Sequence, residues 1–383
     1  MRLERTLIKQ RIQATRRHTL STLLVFSFLI LSLSSALIIS VFAPSGIRVV
    51  ATVTVGASPT EDAFDPANND TYVANYQNAS VSVISRSNTL LATISGFAGP
   101  RSPTFCPFNN NVYVANSYLN DTKVISSSTN SVIADVIVGF GPWAVIYDPH
   151  NHNIYTANPG NNSVAVINTS TNTLITAIKV GSGPFSLAFD PVNSDIYVAN
   201  RDSSSVSVIS DSTNSVVATV SVGFSPRWVA FDPANNETYV ANNGAGTVSV
   251  ISSSNTVVAT VTVGSNPFSV TYDPANGNMY VANNGASTVS VIGSSTNTVV
   301  STVTVGSNPL EMVFDTANND MYVGNYGTPT RPATTVSVIS SSNSVVATVK
   351  VGKSPFGLAY NTSNQEVYVA NNVGGTVTVI TSS

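Results

Sequence analysis

In "VATVTV" (Val258–Val263) apolar and polar residues alternate from Ala259 onward, so one face of an extended chain is apolar and the other mostly polar. That is the pattern of a β-strand with one buried side. The segment Val258–Asn297, "VATVTVGSNPFSVTYDPANGNMYVANNGASTVSVIGSSTN", continues in the same style. After the first strand come a "GSNP" turn, the strand "FSVTYD", the turn "PANGN", the strand "MYVAN", the turn "NGAS" and the strand "TVSVI". Gly, Pro and Asn punctuate each step, and nothing in the segment has a helical period.

The phrase "YVAN" and its near copies place tyrosines at 72, 113, 155, 197, 239, 280, 322 and 368, at spacings of 41, 42, 42, 42, 41, 42 and 46 residues. A period of about 40–45 residues with four strands per unit predicts a β-propeller, because a single small sheet cannot bury its faces and a ring of stacked copies can. The repeat region starts with a lone "VVATVTVG" (Val49–Gly56) and ends on "TVTVI" (Thr376–Ile380) without that strand. The first strand is therefore expected to complete the last blade and close the ring. The count gives eight blades. Seven is the alternative if the least regular unit, Leu90–Ile125 with Cys106 in a position that is Asp elsewhere, is degenerate.

Seven residues before the tyrosines stand Asp65, Cys106, Asp148, Asp190, Asp232, Asp273, Asp315 and Asn361, and three residues after them Asn75, Asn116, Asn158, Asn200, Asn242, Asn283, Asn325 and Asn371. Side chains present in every unit serve what every unit must do. The Asp is expected to accept backbone N–H groups in a turn, and the Asn to take a left-handed conformation at a strand end.

Composition agrees with an all-β chain. Only 9% of residues are charged, against about 25% in an ordinary globular protein. Six basic residues (Arg2, Arg5, Lys9, Arg11, Arg16, Arg17) precede residue 19, leaving 10 basic against 18 acidic residues in the rest, a net charge of about −8. So acidic a body has no footprint for a nucleic-acid backbone, and no nucleic-acid partner is expected. With Cys106 as the single cysteine, no intramolecular disulfide holds the fold.

Thr19–Ala43 carries no charge. As a helix it would be about 37 Å long, enough to cross a hydrocarbon core of about 30 Å. The basic residues before it put residues 1–18 in the cytoplasm and the rest outside. The segment at 19–43 then reads as a transmembrane signal-anchor, with a cleaved signal peptide ending near Val41–Ala43 as the alternative. A short linker, 44–47, leads to the propeller at 48–383. Both readings predict a cell-surface location, membrane-anchored or secreted.

The pattern "VGSNPFSVTYDPANGNMYVANNGASTVSVI" resembles the YVTN family of β-propeller repeats of cell-surface and surface-layer proteins. The likeness covers about residues 48–383. This chain departs from the family with Ala as the third residue of the phrase, with "YTAN" at Tyr155, and with a weakened "FDP" element at Thr316 and Asn361. The resemblance implies the propeller and an envelope setting but no single activity, since the wider class includes lactonase-like enzymes as well as binding scaffolds.

Catalytic signals are weak. His150 and His152 share one turn, "DPHNHN", with no cysteine near them, which makes a poor metal site. No nucleophile elbow and no phosphate loop occur. Function is therefore sought where the units differ. In the turn after each "VG", the residue following Pro is Thr60, Arg101, Trp143, Phe185, Arg227, Phe268, Leu310 or Phe356, and the next position includes Glu61, Trp228 and Glu311. These turns should surround one mouth of the channel. Glu61, Arg101, Trp143, Phe185, Arg227, Trp228, Phe268, Glu311 and Phe356 are the candidate ligand-binding residues; the competing reading is that they plug the channel.

The candidate partners are an envelope polysaccharide, a peptide or a surface protein, and no cofactor or metal is implied. The alternative function is a lactonase- or lyase-like enzyme using Glu61, Asp62, Arg101, Arg227 and Glu311. An insertion, "YGTPTRPATT" (Tyr326–Thr335), should form a stiff exposed loop. Sequons at Asn69, Asn78, Asn120, Asn161, Asn168, Asn236 and Asn361 are candidate glycosylation sites.

Overall fold

The computed structural model describes residues 46–382. They form eight antiparallel sheets of four strands each. The closing strand, Arg48–Thr54, pairs with Thr376–Thr381 as the outermost strand of the sheet built by the C-terminal three. The second unit is complete (Pro100–Cys106, Asn111–Asn116, Asp121–Ser126, Ser131–Ile137), so there are eight blades and not seven. The leader and the proposed membrane segment at 19–43 lie outside the described residues. Among those residues, no helix is long and apolar enough to cross a membrane.

Within each of the first seven blades the strands run in sequence order, and in the eighth the closing strand takes the outermost place. The first strand of each blade packs on the first strand of the next, so these strands line the axis. The fourth strands form the rim, where side chains such as Leu91, Ile133 and Val300 are exposed.

The repeat tyrosines are the largest fully buried side chains. Each lies between blades: Tyr72 packs with Val112 and Val114 of the second blade, and Tyr155 with Leu187 and Ile196 of the fourth. Their hydroxyls accept from the asparagine four residues earlier, as in Asn151 Nδ2 to Tyr155 (2.9 Å) and Asn276 Nδ2 to Tyr280 (2.8 Å). The same hydroxyls donate to an asparagine in the outer turn of the next blade. Tyr72 reaches Asn130 at 2.7 Å, Tyr155 reaches Asn214 at 3.1 Å and Tyr280 reaches Asn343 at 2.6 Å. Tyr368 bonds to Asn88 at 2.5 Å and so joins the eighth blade to the first. Tyr322 is the exception. The blade beside it is closed by Arg48–Thr54 and Thr376–Thr381, which no hairpin turn connects, so no turn asparagine is present there.

The recurring aspartates do fix turns. Asp65, Asp148, Asp190, Asp232, Asp273 and Asp315 each accept the N–H two residues on at 2.8 Å. Asn361 does the same with its amide oxygen at 2.9 Å. The expectation for the asparagines after the tyrosine needs correction. Positive φ falls instead three residues before the tyrosine, as at Asn69, Asn110 and Asn236, and at the outer-turn asparagines. Asn75 and its equivalents are buried and tie two strands together, Asn75 Nδ2 donating to Ser80 Oγ (3.2 Å) and Ser82 Oγ (2.9 Å). They also explain the "VG" glycine, since a Cβ on Gly56 would lie 2.7 Å from Asn75.

Removing the Tyr155 hydroxyl takes the donor from Asn214 Oδ1 and one of two acceptors from Asn151 Nδ2, which keeps the Asp211 carbonyl. Tyr155→Phe is expected to cost about 1–3 kcal/mol, as for other buried groups that lose their partner. Tyr322→Phe, where no turn asparagine stands among the described residues to lose its donor, should cost less. Urea unfolding followed by circular dichroism tests this, and equal losses would contradict the interlock.

Candidate functional site

The "VG-x-x-P" turn delivers the first two residues of each inner strand to one mouth of the channel. Strand register shifts just after the proline, between Pro59 and Asp62, Arg101 and Thr104, Pro226 and Trp228, and Pro309 and Met312. Such bulges break strict alternation, so adjacent residues such as Arg227 and Trp228 both reach the lumen side.

Arg101 is held on three sides. Its guanidinium lies 3.8 Å from the centroid of Trp143 and 4.2 Å from that of Tyr76, and its Nη1 is 3.8 Å from Glu61 Oε1. Glu61 Oε2 also accepts the Ser102 N–H at 3.3 Å. Trp143 packs on Phe185 with centroids 4.9 Å apart, and Arg227 sits 5.4 Å from both Phe185 and Phe268. An arc of guanidinium groups and rings, Arg101, Trp143, Phe185, Arg227 and Phe268, thus runs from the second blade to the sixth. Trp228 meets Phe268 at 6.3 Å, and Phe356 meets Tyr326 edge-on at 5.9 Å. Thr60 and Leu310 are buried, Thr60 Oγ1 donating to the Ala74 carbonyl.

Three members of this surface are absent from the sequence reading: Tyr76, Arg201 and Tyr326. All stand four residues after a repeat tyrosine. Where that position is Asn (Asn243, Asn284, Asn372), its Nδ2 donates to the proline carbonyl of the next blade at 3.1–3.3 Å. The available signal was a large side chain, Tyr or Arg, at a position that is otherwise Asn, Ser or Pro. Arg201 pairs with Asp202 at 2.7 Å and lies 5.4 Å from Phe185.

The mouth is not fully plugged. A cavity of about 160 Å³ is lined by Glu61, Trp143, Phe185, Trp228 and Glu311, among others. A second, of about 380 Å³, is lined by Arg227, Phe268, Phe356, Tyr326 and the amides of Asn243, Asn266, Asn284 and Asn308. The insertion is not a loose loop. It lengthens a hairpin, Asp320–Thr328 against Arg331–Ile339, whose residues Tyr326–Pro329 wall the second cavity.

Carboxyls collect near the axis. Burial pushes the Glu311 carboxyl well above its ordinary range, and the charges of Glu61 and Asp62 push it further. Asp62 is raised in the same way, by burial and then by Glu61, and neither of its oxygens has a hydrogen-bond partner. Of the five acid–base candidates, Glu61, Asp62, Arg101 and Glu311 therefore share one electrostatic neighbourhood, while Arg227 belongs to the aromatic arc.

The histidines lie elsewhere. His150 Nδ1 bonds Asp211 Oδ2 at 2.6 Å, and His152 stacks on Phe108. Among the described residues, no group of three or more His, Cys, Asp or Glu could hold a metal ion. Of the sequons, Asn78 and Asn236 are exposed and Asn69, Asn120, Asn161 and Asn168 half-buried. Asn361 is fully buried in its turn and leaves that set, because a glycan has no room there.

No protein-family model matches the chain, and no curated protein matches it. Solved structures do. The chain is similar to Kuenenia stuttgartiensis hydrazine synthase, at 17% identity over 85% of this chain and 96% of that one, with a TM-score of 0.60. It is similar to a streptogramin B lyase at 12% identity, covering 74% and 93%, with a TM-score of 0.59. It is also similar to the dihydro-heme d1 dehydrogenase NirN, at 13% identity, 84% and 73%, with a TM-score of 0.66. At these identities the likeness shows the β-propeller fold alone.

Raised carboxyls set a pH dependence. Burial lifts Asp195 and Asp320 to about 6, with nearby aspartates adding to it. The folded state therefore favours their protonated forms, and the stability they lend is complete below about pH 4 and lost as pH rises through about 6. Glu311 and Asp62 act in the same direction. Thermal unfolding should occur at a higher temperature at pH 4.5 than at pH 7.5, and the double substitution of Asp195 and Asp320 to Asn should narrow that gap. A melting temperature that climbs with pH would refute this.

Proposed function

We propose that the protein is a saccharide-binding propeller of the cell envelope, carrying YVTN-type repeats and anchored through residues 19–43 with the ring outside the membrane. Secretion after cleavage is the alternative for the N-terminus. The observation that carries the reading is the 380 Å³ cavity, lined both by Asn243, Asn266, Asn284 and Asn308 and by the rings of Phe268, Tyr326 and Phe356. The apolar face of a sugar ring stacks on aromatic rings while its hydroxyls exchange hydrogen bonds with amides, and a rigid scaffold holds both in place. A peptide or a surface protein would make less use of so many amides, so a polysaccharide is the preferred partner.

The lyase-like or lactonase-like reading keeps one specific observation in its favour. Glu311 and Asp62 are carboxyls with raised proton affinity near a cavity, as a general acid requires. Turnover separates the two readings.

The full-length protein in detergent is expected to retain a subset of glycans on an array of envelope-type saccharides. Tyr326→Ala and Phe356→Ala should each weaken that binding by about tenfold or more, a loss of about 1.4 kcal/mol or more. Binding unchanged in both variants would refute the site. Consumption of a bound glycan, abolished by Glu311→Gln, would establish the enzyme instead.

A further inference from the structure

The smaller cavity differs in chemistry from the larger one. Its lining combines Trp143, Phe185 and Trp228 with the carboxyls of Glu61 and Glu311. Faces of aromatic rings attract cations, and the attraction grows when water is excluded. The chain itself illustrates this preference, since Arg101 stacks on Trp143 in the same place. Arg101 does not balance the charge, however. The charge of Glu61 raises the proton affinity of Asp62, and those of Glu61 and Asp62 raise that of Glu311. Among the described residues, Arg101 is the cation whose charge acts on Glu311. One guanidinium thus faces three carboxyls, and both Asp62 oxygens and Arg101 Nε are buried without a partner. Buried carboxyls in excess of their counter-charges hold protons instead, and a cationic guest beside Glu311 would let it ionise. At about 160 Å³ the space is of the order that accepts a benzene-sized guest.

We propose that this cavity is a binding site for an organic ammonium group, held between the rings of Phe185 and Trp228 with Glu311 as its counter-ion. The group belongs either to a free alkylamine or to an amino substituent on a saccharide that also occupies the larger cavity. The second source rests on the saccharide reading above. Both cavities share the inner strands Pro226–Asp232 and Pro309–Asp315, whose successive residues Arg227 and Trp228, and Leu310 and Glu311, line one and then the other.

The two tryptophans of the chain, Trp143 and Trp228, both line this cavity, so intrinsic fluorescence reports on it directly. Full-length protein in a polyoxyethylene detergent at pH 7 would be titrated with choline and with 3,3-dimethylbutan-1-ol, a neutral molecule of the same shape. Glucosamine and glucose form the second pair. A saturable change is expected with choline and not with the alcohol, weakened about tenfold or more in Glu311→Gln and in Phe185→Leu. Both variants keep the tryptophans, and circular-dichroism melts would establish that they fold. Glucosamine binding more tightly than choline would place the ammonium on a sugar; a response to choline alone would assign a free amine.

Equal responses to choline and the alcohol, or a choline response untouched by Glu311→Gln, would overturn the proposal. The glycan array keeps the two failures apart. Glycans retained without any choline response sink the ammonium site and leave the saccharide reading standing. A choline response without glycan binding does the reverse.

Discussion

Ring closure rests on one contact made between neighbouring blades: a buried tyrosine whose ring fills the gap and whose hydroxyl bridges an asparagine of its own turn and one of the next blade. Hydrophobic packing alone is non-directional and would tolerate small rotations between blades. Hydrogen bonds at fixed length do not, and in a buried setting an unmade one costs more than a made one gains. The Tyr–Asn pairs therefore set the angle from blade to blade, and eight repetitions of that angle return the chain to its start. The Tyr368–Asn88 bond is the same contact made across the seam. Beside Tyr322 no turn asparagine is present among the described residues, because the eighth blade ends in strand pairing between Arg48–Thr54 and Thr376–Thr381 and not in a hairpin.

This use of the repeat has a consequence for chemistry. The phrase tyrosine, the asparagine three residues after it, the Asp of six units and the "VG" glycine are committed to turns, strand ties and blade contacts, so they are unavailable for a ligand. What is left lies on the short turns at one mouth, where packing places few demands and residues are free to differ. Of the five departures from Asn at the position after the phrase, three, Tyr76, Arg201 and Tyr326, enter the aromatic and cationic surface, and Ser117 and Pro159 do not. The acids at the axis are the opposite case. Glu61, Asp62 and Glu311 are held close together in a poorly solvated lumen, an arrangement that works against stability and is retained beside an open cavity.

Blade number, strand order and ring closure were legible in the sequence because they follow from local periodicity: alternation marks strands, Gly–Pro–Asn clusters mark turns, and a constant period marks copies. The mouth residues were legible too, since Arg101, Trp143 and Glu311 break an otherwise uniform pattern. Three-dimensional partners were not. Nothing local distinguishes an asparagine that adopts positive φ from one that bonds across strands, and both occur within one unit as Asn69 and Asn75. The insertion was visible as extra length, but its prolines suggested a loop. Only the pairing of Gly327 with Pro332 shows that it continues a hairpin over the second cavity.

The rim raises a separate problem. Eight outer strands expose valine, leucine and isoleucine, and charged residues on them are few: Arg48, Asp135, Lys179 and Lys350. Exposed apolar edges of this kind invite pairing with other chains, and charge is the common defence. Here the defence is geometric. Every pairing of a third strand with a fourth contains a register shift, at Val83/Ile84, Val124/Ile125, Val166/Ile167, Val208/Ile209, Val250/Ile251, Val291/Ile292 and Val338/Ile339, and at Val49/Ala51 in the closing strand. A bulge twists the strand and interrupts the regular row of edge donors and acceptors, so a flat partner strand cannot align with it. The repeat thus carries its protection against edge pairing in backbone geometry, which lets its outer face stay nearly free of charge.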